Sequence, residues 1–159
     1  MKRRSLLALL WTPATALRAQ LRVAPLNEAG YRKLVTAGRG QVLLVDFWAT
    51  WCQPCRAELP LLVRLEAKYR GQGLKLVTIS CDEPEQEGDA ARFLRQHGVP
   101  GPLRIKRPAN DDQFISSVDA AWSGALPALF LYDRLGRRVR SLIGETDMAA
   151  LEAALRKVL

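Results

Sequence analysis

The sequence predicts an α/β domain in which a central mixed β-sheet carries helices on both faces. Three observations carry the prediction. Two runs, Val42–Trp48 and Leu74–Ser80, are mostly apolar and β-branched or aromatic, the pattern of strands covered on both faces. Between them, residues 54–70 place Leu59, Leu62, Val63, Leu65 and Tyr69 at helical spacing. The resulting β-α-β unit makes the two strands parallel neighbours through a right-handed crossover. Strand-like and helix-like segments then keep alternating, with no internal repeat and no low-complexity linker.

Taken in order, Asn27 is placed to cap a helix running to Ala37, with Tyr31, Leu34 and Val35 on one face and Gly38 and Gly40 ending it. The first buried strand, Val42–Trp48, follows, then the helix over 54–70. Gly71 and Gly73 lead into the second strand, Leu74–Ser80. Beyond an acidic loop, residues 89–97 read as a helix, and Asn110 caps a short one to Val118. Residues 128–132 and 137–143 read as two strands joined at Asp133-Arg134-Leu135-Gly136, a hairpin. Thr146 is the expected cap of a last helix through Val158, with Met148, Leu151, Leu155 and Val158 facing inward.

Composition sets the outer bounds. The chain has 159 residues, 48% of them apolar, and only three cysteines. That is enough for one core without metal or disulfide staples, and it excludes cysteine scaffolds, collagen-like chains and global disorder. Residues 1–19 read separately, because Lys2, Arg3 and Arg4 precede an apolar stretch from Leu6 to Trp11, then Thr12, Pro13 and small residues. This layout predicts an export signal cleaved after Ala16 or Ala19, or a short N-terminal anchor, with 20–159 as the folded domain and the periplasm as its place. Removal of residues 1–16 lowers the net charge from +8 to +5. Two basic clusters remain. Arg104, Lys106 and Arg107 read as a solvated loop, and Arg134, Arg137, Arg138 and Arg140 as a hairpin rim. Neither interleaves with aromatic side chains, so no nucleic-acid partner is expected.

The chemistry is placed between the first buried strand and the helix after it. Cys52 and Cys55, two residues apart at a helix start, can close a disulfide with little backbone movement. Free N–H groups and the helix dipole at that position favour a thiolate, which makes Cys52 the expected nucleophile. Cys55, one turn further in, is the expected resolving thiol. Pro54 suits the first turn, where its missing N–H is not needed. Half of a zinc site is the alternative for such a pair, but only Cys81 and His97 remain as ligands, without partners at ligand spacing, so no metal is expected. A purely structural disulfide is the other alternative, permitted in an exported protein. Asp46, six residues before Cys52, lies on a strand that otherwise reads as buried, so burial should raise its pKa.

The run Val45-Asp46-Phe47-Trp48-Ala49-Thr50-Trp51-Cys52-Gln53-Pro54-Cys55-Arg56-Ala57-Glu58-Leu59-Pro60 resembles the thioredoxin superfamily, specifically its exported TlpA/ResA-like thiol–disulfide oxidoreductases. Gly124-Ala125-Leu126-Pro127 is similar to that family's cis-proline loop. The resemblance implies a thioredoxin fold with Pro127 in the cis form, its loop facing Cys52 and contacting substrate. It implies that Asp46 accepts the Cys55 proton through water, with a purely structural hydrogen bond as the alternative. It places Trp51, Gln53, Pro54 and Leu126 at the substrate surface. Glu58 matches the family's Arg-x-Glu-Leu-Pro run and is assigned to tuning or docking, with solvated helix surface as its alternative. Pro60 should kink the helix, and Trp48 either flanks the thiols or is core. Cys81 reads as a free, partly buried thiol and His97 as a helix-end residue.

Implied with the family are disulfide-bearing protein substrates, a membrane electron-relay donor, a monomeric state and no cofactor. The expected direction is reduction outside the cytoplasm, with cytochrome c maturation as one such task. Two other readings stand beside it. A redoxin-type thiol peroxidase would need threonine and proline three and seven residues before the cysteine, where this chain has Ala49 and Val45. A non-catalytic binding module would ordinarily lack a cysteine or the proline, and here all three are present.

Overall fold

The computed structural model describes residues 22–99 and 101–159. The residues read as an export signal, and position 100, lie outside the described residues. Six strands form one sheet in the order β1-β4-β3-β2-β5-β6. They are β1 (Val23–Leu26), β2 (Val42–Trp48), β3 (Leu74–Ser80), β4 (Leu103–Lys106), β5 (Ala128–Tyr132) and β6 (Arg138–Ile143). The first four are mutually parallel, β5 runs antiparallel to β2, and β6 runs antiparallel to β5 and so in the direction of the first four. The helices are α1 (Glu28–Ala37), α2 (Gln53–Tyr69), α3 (Glu87–Gln96), α4 (Asp111–Val118) and α5 (Met148–Arg156). Among the described residues, no helix is long and apolar enough to cross a membrane.

Strand β2 is central because all seven of its residues are buried, including Asp46. Side chains alternate across a strand, so its odd and even positions serve two different cores. Val45 and Phe47 join Tyr31 of α1 and Phe114 of α4 in an aromatic core with Trp122 and Phe130. Its rings meet edge-on or tilted at centroid distances of 4.8–6.0 Å, within the favoured range for aromatic pairs. Val42 and Leu44 pack on the other face against Leu62 and Leu65 of α2 and Leu151 and Leu155 of α5. Trp48 continues that face toward Leu59, Leu94 of α3, Cys52 and Cys55.

Several boundaries differ from the sequence expectation for identifiable reasons. Arg104 and Lys106 belong to β4 rather than to a solvated loop, alternating with the fully buried Leu103 and Ile105. Lys106 pairs with Asp111 at 2.5 Å, so the alternation is that of a strand with charged side chains on its outer positions. Strand β1 also escaped the sequence reading; it pairs only with β4 and contains Pro25, which an edge strand tolerates. Thr146 does not cap α5. Asp147 does, accepting from the N–H groups of Ala149 and Ala150, because Thr146 is drawn to Glu58 of α2. The helix then ends at Arg156, short of Val158. Helix α2 opens at Gln53, and α3 opens at Glu87 after a 3-10 turn over Pro84–Gln86.

The Phe114 ring meets Tyr31 of α1 and Phe47 of β2 and has no solvent exposure. Phe114→Ala is expected to lower stability by about 3–5 kcal/mol in urea unfolding, the cost of a large cavity in a rigid core.

Candidate active site

The end of β2 delivers the chain to the start of α2, and this fixes the two thiols. Cys52 is the N-cap of α2, its backbone extended, with Pro54 in the first turn. Cys52 and Cys55 form a disulfide with Cα atoms 5.3 Å apart. The Cys52 sulfur accepts the Cys55 backbone N–H at 3.3 Å, one of the donors that a helix start leaves without an internal partner. When the disulfide is opened, the same N–H is in position to stabilise a Cys52 thiolate. Both cysteines are buried, Cys55 slightly more so.

On β2, on the same strand face as Trp48, Asp46 is only 2% exposed. Its Oδ2 finds no hydrogen-bond partner, and the indole N–H of Trp48, two residues along the same face, is likewise unpartnered. Loss of hydration drives the Asp46 pKa well above the ordinary carboxylate range, and the nearby Glu58 carboxylate adds to the rise. Glu58 is not on a solvated surface: it is 7% exposed and accepts from the Thr146 hydroxyl at 2.9 Å and backbone N–H at 3.2 Å. Burial raises its pKa, and the two Thr146 hydrogen bonds partly offset the rise.

The loop before β5 packs near the two cysteines. The Leu126–Pro127 peptide is cis, Pro127 is buried, and Leu126 packs against the cluster that holds both cysteines. Trp122 donates its indole N–H to the Ala125 carbonyl at 2.8 Å, and Gly144 N–H donates to the Pro127 carbonyl at 2.9 Å, holding the loop from both ends. Gly124 has φ +87°, a conformation that favours glycine, and a β-carbon there would sit 2.8 Å from the Ile115 Cδ1. Of the expected substrate surface, Trp51 is 62% exposed and Gln53 is exposed, Pro54 is half-buried, and Trp48 is core.

One residue was missed. Asp82 is fully buried yet completely bonded: its carboxylate accepts from the Thr50 N–H at 2.9 Å, the Thr50 hydroxyl at 2.7 Å and the Ser80 hydroxyl at 2.7 Å. It therefore ties the chain two residues before Cys52 to the end of β3. The position of Asp82 directly after a buried strand was the available signal. Cys81 is free and packs against the cysteine cluster, its thiol pushed up to about 12 chiefly by burial. A thiol so protonated is a poor nucleophile. His97 ends α3 and meets Phe93 edge-on.

Comparison with known proteins follows the same lines. The family model described as AhpC/TSA family matches residues 17–139. The chain belongs to the AhpC/TSA family. It is 31% identical over 120 residues to a protein named thiol-disulfide oxidoreductase ResA from Bacillus thuringiensis, covering 76% of this chain and 65% of that one. The chain thus spans slightly less than two thirds of the length of that relative. A Chlorobium tepidum structure described as a thiol:disulfide interchange protein DsbE has 30% identity and a TM-score of 0.60, covering 78% of this chain and 84% of its own. A thioredoxin family protein from Chlorobium tepidum TLS, at 22% identity and TM-score 0.61 over 77% of this chain and 82% of that chain, shows the thioredoxin-like α/β fold.

Two outcomes are expected from the carboxylates. Below its ordinary value of 3.8, Asp46 is protonated both folded and unfolded; above it, the unfolded chain releases the proton while the folded one keeps it. Folding therefore binds more protons than unfolding, and the Asp46 contribution to stability falls as pH rises above about 4. Asp46→Asn should stabilise the oxidised protein more at pH 7 than at pH 4 in urea titrations. Asp82→Ala should instead cost about 2–4 kcal/mol by the same measurement, because it strands the Thr50 and Ser80 donors.

Proposed function

We propose that the chain is an extracytoplasmic thiol–disulfide oxidoreductase that reduces disulfides in proteins. The observation that carries the reading is the Cys52–Cys55 disulfide at the start of α2, its Cys52 sulfur on a helix N–H and a partnerless carboxyl buried on the same sheet face. The names of the relatives support the reaction class. The basic and then apolar composition of residues 1–19 supports the location, and the exposed Trp51 beside the thiols supports a polypeptide substrate.

In the reducing direction, the Cys52 thiolate attacks one sulfur of the substrate disulfide, and the other substrate sulfur leaves as a thiolate. Cys55 then loses its proton to Asp46, whose raised proton affinity makes it a stronger base once ionised. The Cys55 thiolate attacks the Cys52 sulfur of the mixed disulfide and releases the second substrate thiol. Two electrons pass from the dithiol to the substrate, and the protein is left with the Cys52–Cys55 disulfide. Leu126 and the cis Pro127 are assigned to the substrate backbone, with Gln53 and Pro54 completing its seat. Glu58 tunes Asp46 by its charge. Outside the cytoplasm, the electrons have to come from a membrane-embedded relay, and the client disulfides would include those met in cytochrome c maturation. The protein works as a monomer in this reading. A thiol peroxidase is the poorer reading, since Ala49 and Val45 stand where that chemistry needs threonine and proline.

The deciding measurement is the redox equilibrium of Cys52 and Cys55 against defined thiol/disulfide buffers. A potential of about −250 mV or lower is expected, and one between about −120 and −180 mV would move the assignment to disulfide formation or isomerisation. In the same assay series, Cys55→Ser should trap substrate on Cys52 as a mixed disulfide, Cys52→Ser should trap none, and Asp46→Asn should slow resolution several-fold.

A further inference from the structure

The start of α2 has a groove on each flank, and the two differ in charge. On the α5 side, about 500 Å³ is enclosed by Gln53, Pro54, Ala57, Leu61 and the carboxylates Glu58 and Glu145, with no cation in the lining. On the α3 side, a second groove of about 500 Å³ has Thr50, Trp51 and Arg56 on one bank and Gln86, Phe93 and Gln96 on the other. Volumes of this order suit a few side chains of a bound segment.

The second groove has both banks anchored to one buried hub. Thr50 is held by the Asp82 carboxylate. The Asp82 carbonyl accepts from Arg107 Nη1 at 2.6 Å, and Arg107 Nη2 reaches Glu87, the first residue of α3, at 3.1 Å. Arg107 was read from sequence as part of a basic loop; here it fixes the α3 bank against the loop that carries Cys52. Phe93 packs on Trp48 with centroids 5.3 Å apart and carries the Arg56 guanidinium 5.3 Å from its own centroid.

The groove is left with one uncompensated charge. Arg92 and Asp89, also in the lining, neutralise each other at 2.7 Å. Arg56 makes no ion pair among the described residues, and its backbone N–H is bonded to the Cys52 carbonyl at 3.1 Å, one helical turn from the nucleophile. A guanidinium lying over an aromatic ring keeps its edge donors for a carboxylate, which it can take in bidentate fashion. Gln86, whose Oε1 accepts the Glu83 N–H, keeps its amide NH2 free. Exposed Trp51 offers an apolar contact at the rim.

We propose that the α3-side groove receives the extended substrate segment next to the reactive cysteine and selects a carboxylate side chain there through Arg56. This rests on the oxidoreductase reading and adds a substrate preference to it. Glu145 on the other flank disfavours the same side chain, so the charge difference also sets the direction in which the segment crosses the thiols.

The test uses disulfide peptides that differ at one residue, Glu, Gln or Lys, two positions before the cysteine in one set and two positions after it in another. Wild type and Arg56→Gln are compared at low ionic strength. Wild type should reduce the Glu peptide about two- to fivefold more efficiently than the Gln peptide in one set, through KM rather than kcat, with the advantage lost at high salt. Arg56→Gln should erase the difference. Since this variant also alters the surroundings of Cys52, only ratios between peptides within one enzyme are read; altered thiol reactivity moves both peptides alike. Phe93→Leu, which removes the stacking platform, should give a partial loss of the ratio. Equal rates for Glu and Gln in both sets, a ratio that survives Arg56→Gln, or a preference for Lys would overturn the proposal. Reduction of none of the peptides, by either protein, would instead count against the oxidoreductase reading itself.

Discussion

Strand β2 has no free side and no free edge. Its neighbours pair with it along nearly its whole length, β3 parallel and β5 antiparallel, and both of its faces are covered by helices. A strand so enclosed cannot slip by one residue without driving Asp46 into the aromatic core and Phe47 under α2. Register is therefore strongly specified, and with it the point where the chain leaves the sheet after Trp48. Everything reactive follows from that exit. The turn Ala49–Trp51 brings Cys52 to the cap of α2, and the antiparallel pairing with β5 brings Pro127, one residue before Ala128, to the same end of the sheet.

Two buried aspartates at this end show how context decides what one residue type does. Asp82 is surrounded by donors, and its work is mechanical: it pins Thr50 and thereby the approach to Cys52. Asp46 has an oxygen with no donor and a second acid nearby, so burial acts on its proton instead. An unpaired buried carboxyl is costly to keep. A raised proton affinity in the most enclosed strand of the fold is what the proposed proton transfer requires.

The sequence made the long, strongly patterned elements plain. Strands β2 and β3 and helix α4 coincide with the expected residues, because continuous apolar runs and an Asn cap are local signals. The parts that were not legible depend on distant partners. Four-residue strands such as Leu103–Lys106 are too short to show a period, and their charges suggested solvent. The choice between Thr146 and Asp147 as helix cap is made by Glu58, 88 residues away. Likewise, Asp82 looks like an ordinary loop acid until Thr50, 32 residues earlier, is placed against it. At the site, the cysteine pair, Pro127 and the exposed Trp51 could be read from the chain, whereas the burial of Glu58 could not.

The same long-range contacts explain why the two flanks of the disulfide differ. On one side, Glu58 reaches across to Thr146, and that contact holds the segment between β6 and α5 against α2, leaving a carboxylate-lined wall. On the other side, three acids at or near the start of α3 are already engaged: Asp82 is turned into the interior, Glu87 pairs with Arg107, and Asp89, in the groove lining, pairs with Arg92. With those acids engaged, Arg56 is left facing Phe93 alone. The asymmetry is therefore a by-product of how each flank satisfies its buried polar groups, and it places opposite charges on either side of the Cys52–Cys55 disulfide.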